Sequence, residues 1–412
     1  MFLSFECSNS FSYQDITRIS SVARKPYVYE GKQFEILPIK KGGDFIWPVL
    51  SIYGPNASGK STFLRSLSTM IKNVCGHKRD LMGETFHSKA GYIEHELGFV
   101  LPQSDEDSDN YFVYKYGYKI DVDEQSVVEE WLKSKVLDNA LDSEDGFENV
   151  FYRTGPCSDD IELFNGKIPN IAVAEVLKSK VRKNGLFLSL FWDDETESQP
   201  FSMIGRWFTS ITLPESFFDT PINMEIKCLV DELKKSQEFK GKFLKFLQEV
   251  DDSIIGINVI GRELKVIHRK DDFGNDDDLS AIVSFDKESS GTRKMAVMYP
   301  RFINALTNGG LLIVDELDTK LHFDALIAFV MLFRKEINTK AQLIFSSHNA
   351  ATLKRAYVHQ DEVFFVDKFD DGKSILGQLD LTNLSDEDME KDFDVLFEEG
   401  TLGATRPSMM FG

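Results

Sequence analysis

Two patterns of hydrophobic and polar positions divide this chain. In the first, short unbroken apolar runs stand between helix-length stretches. Residues 46–53 (IWPVLSIY), Leu311–Val314, 343–345 and 363–366 are such runs, as expected of strands buried on both faces. Phe63, Leu64, Leu67 and Ile71 recur at helical spacing after the first run. The segment MAVMYPRFINAL precedes the second, and residues 321–337 join the second to the third. This alternation predicts βαβ units and a parallel sheet. Pro300 falls inside the MAVMYPRFINAL helix and is expected to kink it.

The second pattern has period two. Residues 98–101 read as a strand, and in 111–121 Phe112, Tyr114, Tyr116 and Tyr118 alternate with other residues, as on a half-buried strand. Segments 171–177 and 229–250 read as helices. In the latter, Leu229, Leu233, Phe243, Leu247 and Val250 make a broken apolar face, too short for the heptads of a long coiled coil.

The chain has 412 residues, which at about 150 residues per domain predicts two or three domains. With 42% hydrophobic and 28% charged residues it reads as folded. Its longest apolar run, 325–333, falls well short of a membrane span, which takes roughly 20 residues. The opening MFLSFECSNS has no basic segment before an apolar core, so no secretory signal is expected and the cytoplasm is the default location. Cys7, Cys75, Cys157 and Cys228 are too scattered for a zinc site or disulfide framework. Lys and Arg number 47 against 67 Asp and Glu, a net charge of −20, which argues against direct nucleic-acid binding. The Tyr stripe is accordingly read as packing. The basic cluster Lys178, Lys180, Arg182, Lys183 is read as a solvated helix face, and the acidic segment 271–278 as a turn.

The chemistry is concentrated in a few segments. The first apolar run leads into Gly54-Pro55-Asn56-Ala57-Ser58-Gly59-Lys60-Ser61-Thr62, a P-loop between a strand and a helix. Gly54 and Gly59 let the backbone turn its N–H groups toward a phosphate, and the helix N-terminus adds positive potential. Lys60 is expected to reach the β- and γ-phosphates of ATP and Ser61 to bind Mg²⁺. Asp315-Glu316 follows Leu311–Val314, placing one carboxylate for Mg²⁺ and another to polarise the attacking water. His348 lies at the end of the next strand, where ligands of such sheets gather. Ser289-Ser290-Gly291-Thr292, ahead of a helix, form a second candidate anion nest.

The order of these segments resembles an ABC-type ATPase head. The stretches FLSFECSNSFSYQDITRISSVA, YGPNASGKSTFLRSL, VVEEWL, FLQEVDDSI, ESSGTRK, VDELDTKLH, SSHN and EEGTLGA are similar to the OLD-like AAA/ABC ATPases of bacterial defence. Among these, the ATPase subunits of the PARIS anti-phage system look most alike. The resemblance implies a head dimer sandwiching two ATP molecules, with Ser289, Ser290, Gly291 and Thr292 acting on the partner's nucleotide. It makes Asp318 part of the loop after the Asp-Glu pair and His348 the switch histidine. It further implies a separate effector nuclease of toprim type, a phage-encoded trigger, and an assembly such as a hexamer of paired heads. Gln103 is the nearest candidate for the Mg²⁺-linked glutamine, and Phe11 and Tyr13 for stacking on adenine.

The expected fold is α/β: an ABC-type P-loop head split between residues 1–75 and 251–368, a β-rich lobe at 76–138, a mainly helical insertion at 139–250 and a tail at 369–412. The residues after the last core strand are too few for a fused toprim nuclease, so cutting is assigned to another chain. The alternatives are a DNA repair ATPase of the SMC or RecF kind, the ATPase of an RloA/RloB-type pair, and a clamp that binds ATP without hydrolysing it.

Overall fold

Side-chain alternation in the central sheet sets where everything else sits. Its strands run in the order Leu311–Val314, Gln342–Ser347, Val49–Tyr53, Val363–Lys368 and Ser374–Gln378, the first four parallel and the last antiparallel. Successive residues point to opposite faces. Leu50, Ile52, Leu311, Ile313, Ile344, Phe364 and Val366 enter one hydrophobic core. Val49, Tyr53, Leu312, Val314, Leu343, Phe345, Val363 and Phe365 enter the other. The helix Lys60–Cys75 covers the first face through Phe63, Leu64 and Leu67, and the helices Ser290–Asn308 and Phe323–Leu332 cover the second. Burial on both faces is the reason these strands read as unbroken apolar runs.

The computed structural model describes residues 1–402 apart from 24–27, 30–31, 34–36, 40–44, 77–82, 87–90, 104–109, 138–140, 142, 165, 167, 169, 193–199, 215–221, 270–279, 320–322, 335–337, 339 and 383. The acidic segment 271–278 and the last residues of EEGTLGA lie outside the described residues. No described helix is long and apolar enough to cross a membrane. The four cysteines are free thiols.

A second, seven-stranded antiparallel sheet runs Ile161–Leu163, Glu148–Arg153, Ser126–Val136, Tyr111–Asp121, Tyr92–Pro102, Phe2–Ser8 and Thr17–Ser20. It crosses the division expected at residue 75, because Phe2–Ser8 pairs with Tyr92–Pro102. Phe2 and Phe5 share a core with Phe63, Leu97, Phe99 and Tyr116, so this sheet packs directly on the P-loop helix. Tyr114, Tyr116 and Tyr118 are buried there, and Trp207 stacks on Phe99 with ring centroids 4.5 Å apart.

Several expectations change. Residues 46–53 are not one strand: Pro48, which has no N–H to give a ladder, separates Phe45–Ile46 from Val49–Tyr53. The stretch after residue 139 is not helical at first, since Glu148–Arg153 and Ile161–Leu163 extend the large sheet and bury Phe151 and Ile161. Residues 229–250 belong to two helices, Ile222–Lys235 and Gln237–Val250. Ser236 breaks them and caps the second by accepting from the Phe239 N–H at 3.1 Å. Pro300 does fall inside a helix, Ser290–Asn308, as its sequence position predicts. The segment after 368 is no mere tail, because Ser374–Gln378 forms an edge of the central sheet.

The large sheet is tied to the P-loop helix through a buried polar cluster. His95 Nε2 lies 3.0 Å from Ser10 Oγ and 2.9 Å from Ser66 Oγ, while Nδ1 lies 2.9 Å from Tyr118 OH, which also accepts from Asn73 at 2.9 Å. Burial pushes the His95 imidazole down to about 3, so the folded protein holds it neutral. An unfolded chain takes up that proton once the pH falls below about 6.5. His95 is therefore expected to withdraw stability as pH falls from about 6.5 toward its folded value, by about 1.4 kcal/mol per pH unit. Urea unfolding at pH 7 and pH 5 checks this: His95→Gln should show a smaller acid loss than the parent.

Candidate functional site

The phosphate loop begins where Val49–Tyr53 ends. Gly54 (φ 154°) and Gly59 (φ 122°) adopt backbone angles that L side chains rarely take, and a Cβ on Gly59 would run into Ser374 Oγ. No side chain caps the helix that Lys60 opens, which leaves its first N–H groups available to an anion. The loop is braced from behind. Tyr13 OH donates to Gly59 O at 3.0 Å, and Ser374 Oγ lies 2.6 Å from Ser58 O and 2.9 Å from Ser12 Oγ. Lys60 Nζ donates to Gly54 O at 2.7 Å and Pro55 O at 3.0 Å. Burial lowers its pKa, against the opposing pull of Asp318, Asp315 and Glu316.

The sheet brings Asp315 to this loop. Its Oδ1 accepts from Ser61 Oγ at 3.0 Å and Ser346 Oγ at 2.6 Å. Ser346 also accepts from the Glu316 N–H at 2.8 Å. Glu316 has left-handed backbone (φ 48°) and an exposed side chain, with Oε2 accepting from Thr319 Oγ1 at 3.2 Å. Such a conformation costs about 1–3 kcal/mol. Here the Ser346 contact holds its N–H, and Lys294 Nζ donates to its carbonyl at 2.7 Å.

Asp318 and His348 form a unit. Asp318 Oδ2 accepts from the His348 and Asn349 N–H groups at 3.2 and 3.1 Å and lies 2.9 Å from His348 Nδ1. The Asp318 side chain is 2% exposed and that of His348 49%. The carboxylate thus faces inward and the imidazole faces out.

The Ser289–Thr292 turn starts the helix Ser290–Asn308. Ser289 Oγ accepts from the Thr292 N–H at 3.1 Å; Ser289 and Ser290 are exposed, whereas Gly291 and Thr292 are buried. A cavity of about 350 Å³ between this helix and the Asp-Glu strand has Ser290, Arg293, Asp315 and Glu316 on its wall.

The structure therefore gathers Lys60, Ser61, Asp315, Glu316, Asp318 and His348 at adjoining strand ends, with Ser290 on the cavity beside Asp315 and Glu316. It sets aside the adenine candidates: Tyr13 is fully buried against Phe63, and Phe11 is 3% exposed beneath Arg65 and beside Phe86. Gln103 is exposed beyond its strand, with its N–H on Asn110 O. Sequence reasoning missed Ser346, Ser374 and Lys294. Ser346 carried a faint signal, since it stands at the end of the strand ahead of His348.

Ser346 steadies both carboxylate positions without completing the P-loop. Ser346→Ala is expected to lower ATP turnover about tenfold or more through loss of one charge-assisted hydrogen bond. ATP affinity should stay near the parent's, as steady-state kinetics alongside equilibrium nucleotide binding will read.

Residues 49–354 match the protein family described as "AAA domain, putative AbiEii toxin, Type IV TA system". No curated protein matches the sequence. Among solved structures, the chain is similar to the SMC head domain from Thermotoga maritima, with 14% identity and a TM-score of 0.43 over 92% of this chain and 99% of that one. It is also similar to the Smc head domain with an extended coiled coil bound to the C-terminal domain of ScpA, derived from Pyrococcus furiosus. There the identity is 12% and the TM-score 0.41, over 97% of this chain and 99% of that one. With the family match spanning most of its length, from the P-loop strand to beyond His348, the chain belongs to this AAA domain family.

Proposed function

We propose that this chain is an ATP-hydrolysing head of the ABC type that senses infection and holds, then releases, a separate effector nuclease in anti-phage defence. The observation that carries the ATPase reading is the meeting of Ser61 and Ser346 on Asp315 Oδ1 beside the P-loop. The residues suit Mg²⁺, a hard cation that takes few protein oxygens and shares the rest with phosphate and water. Asp315 and the Ser61 hydroxyl would hold it. When bound, Mg²⁺ neutralises phosphate charge.

The protein's own groups do the rest. The loop N–H groups and Lys60 bind and orient the triphosphate. Glu316, exposed at its strand end, accepts the proton of the attacking water. His348, anchored through Nδ1, presents its other ring nitrogen to the γ-phosphate side. The exposed Ser289 and Ser290 contact the nucleotide held by a second copy, so that two heads sandwich two ATP molecules, in pairs or in a hexamer of pairs. Asp318 serves this site from inside, by fixing His348.

The family description, with its toxin–antitoxin wording, supports the defence setting. Within it the chain resembles AriA, the PARIS ATPase, with a toprim partner of the AriB kind and a phage-encoded trigger.

Lys60→Ala is expected to abolish tight ATP binding, read by equilibrium titration. Glu316→Gln should keep ATP bound and slow turnover about 10²-fold. Parent-like behaviour of either variant removes its residue from the assigned role. Ser290→Arg should block ATP-driven dimerisation, read by light scattering, while the monomer stays folded. Co-purification from the native operon should yield a small toprim protein; a different nuclease would favour the RloA/RloB-type pair. Hydrolysis stimulated by DNA, with steep salt dependence, would favour the repair reading instead.

A further inference from the structure

Behind the Ser289–Ser290 turn runs a line of hydrogen-bonded side chains that the P-loop chemistry does not use. It starts at Asp251, where the helix Gln237–Val250 ends. Asp251 Oδ1 accepts from Ser253 Oγ at 2.6 Å and from the Ser253 N–H at 3.0 Å. Ser253 Oγ lies 2.8 Å from His268 Nδ1, and His268 Nε2 lies 2.8 Å from Glu288 Oε1. His268 belongs to Glu263–Arg269, the middle strand of a three-stranded antiparallel sheet with Ile254–Ile260 and Ser280–Ser284. Glu288 directly precedes Ser289, the cap of the helix Ser290–Asn308. The side chains of His268 and Glu288 are 18% and 5% exposed.

Counting protons gives the line a direction. A serine hydroxyl has one proton, and a carboxylate is an acceptor only. Ser253 gives its proton to Asp251, so its Oγ is left to accept from His268 Nδ1. His268 Nε2 meets Glu288 Oε1 in a contact largely shielded from water. The strand also grips the start of the line through its backbone, with Arg269 N–H on Ser253 O at 2.7 Å. Glu288 is thereby fixed to a rigid sheet, and the two exposed serines that follow it inherit that placement.

We propose that His268 is a positioning residue: through Glu288 it holds the Ser289–Ser290 turn in place for nucleotide bound by a second copy of the chain. This rests on the sandwich reading above. It assigns His268 to the partner's site and leaves its own P-loop independent of it.

Mixing experiments test the assignment. His268→Ala is expected to lower ATP turnover about tenfold, with nucleotide affinity of the monomer unchanged. Glu288→Gln, which retains a hydrogen-bonding group at the same reach, should stay within about threefold of the parent. Ser253→Ala is a milder second variant should His268→Ala fold poorly. Each is then mixed with Lys60→Ala, whose P-loop is dead and whose turn is intact. One composite site in the mixed pair unites an intact loop with an intact turn, so turnover should rise above the sum of the separate proteins. Ser290→Ala mixed with Lys60→Ala is the reference, since it removes the hydroxyl of the turn without adding bulk between the heads. If that reference recovers and the His268→Ala and Ser253→Ala mixtures do not, the positioning role is wrong and the sandwich stands. If the reference itself fails to recover, the sandwich reading falls and the role of His268 with it. Parent-like turnover of His268→Ala overturns the proposal outright.

Discussion

The Asp315 carboxylate is the junction on which the candidate site depends. A hydroxyl from the P-loop helix and another from the neighbouring strand reach the same oxygen, Oδ1. That shared acceptor ties the start of the P-loop helix to the end of the sheet. It also sets Glu316, because the serine that binds Asp315 takes the Glu316 N–H as well. A left-handed residue at a strand end is costly in isolation. Here its N–H and C=O are held by Ser346 and Lys294, two groups from different elements, so the strain is confined to the place where a carboxylate must face outward.

The same economy appears behind the P-loop. Gly59 and Ser58 are braced by Tyr13 from the N-terminal region and Ser374 from the C-terminal edge strand. Parts from both ends of the chain therefore stiffen one turn. Lys294 links the Ser289–Thr292 helix to the loop after Asp315. The Ser289–Thr292 turn and the Glu316 backbone of the same copy are thus joined through one side chain.

Much of this was legible along the chain, and for a definite reason. The P-loop, the apolar runs and the Asp-Glu pair are contiguous, and their chemistry follows from spacing: glycines where backbone must turn, branched residues where both faces are buried, carboxylates at a strand's end. The Tyr stripe was readable as packing because period two requires it. What misled were segments whose fate is set by distant partners. Glu148–Arg153 is a strand because Ser126–Val136 offers an edge for it, and Ser374–Gln378 because Val363–Lys368 does.

By itself, then, the sequence determined the glycine-rich loop, the strands that carry it and the order in which they are linked. Only the tertiary structure decided that Phe2–Ser8 joins the large sheet, that Tyr13 is a brace, and that Ser346, Ser374 and Lys294 serve the site. The physical reason is range. Periodicity and turn chemistry act between near neighbours, whereas these contacts join residues well separated along the chain that meet only once the strands pair and the helices pack on them.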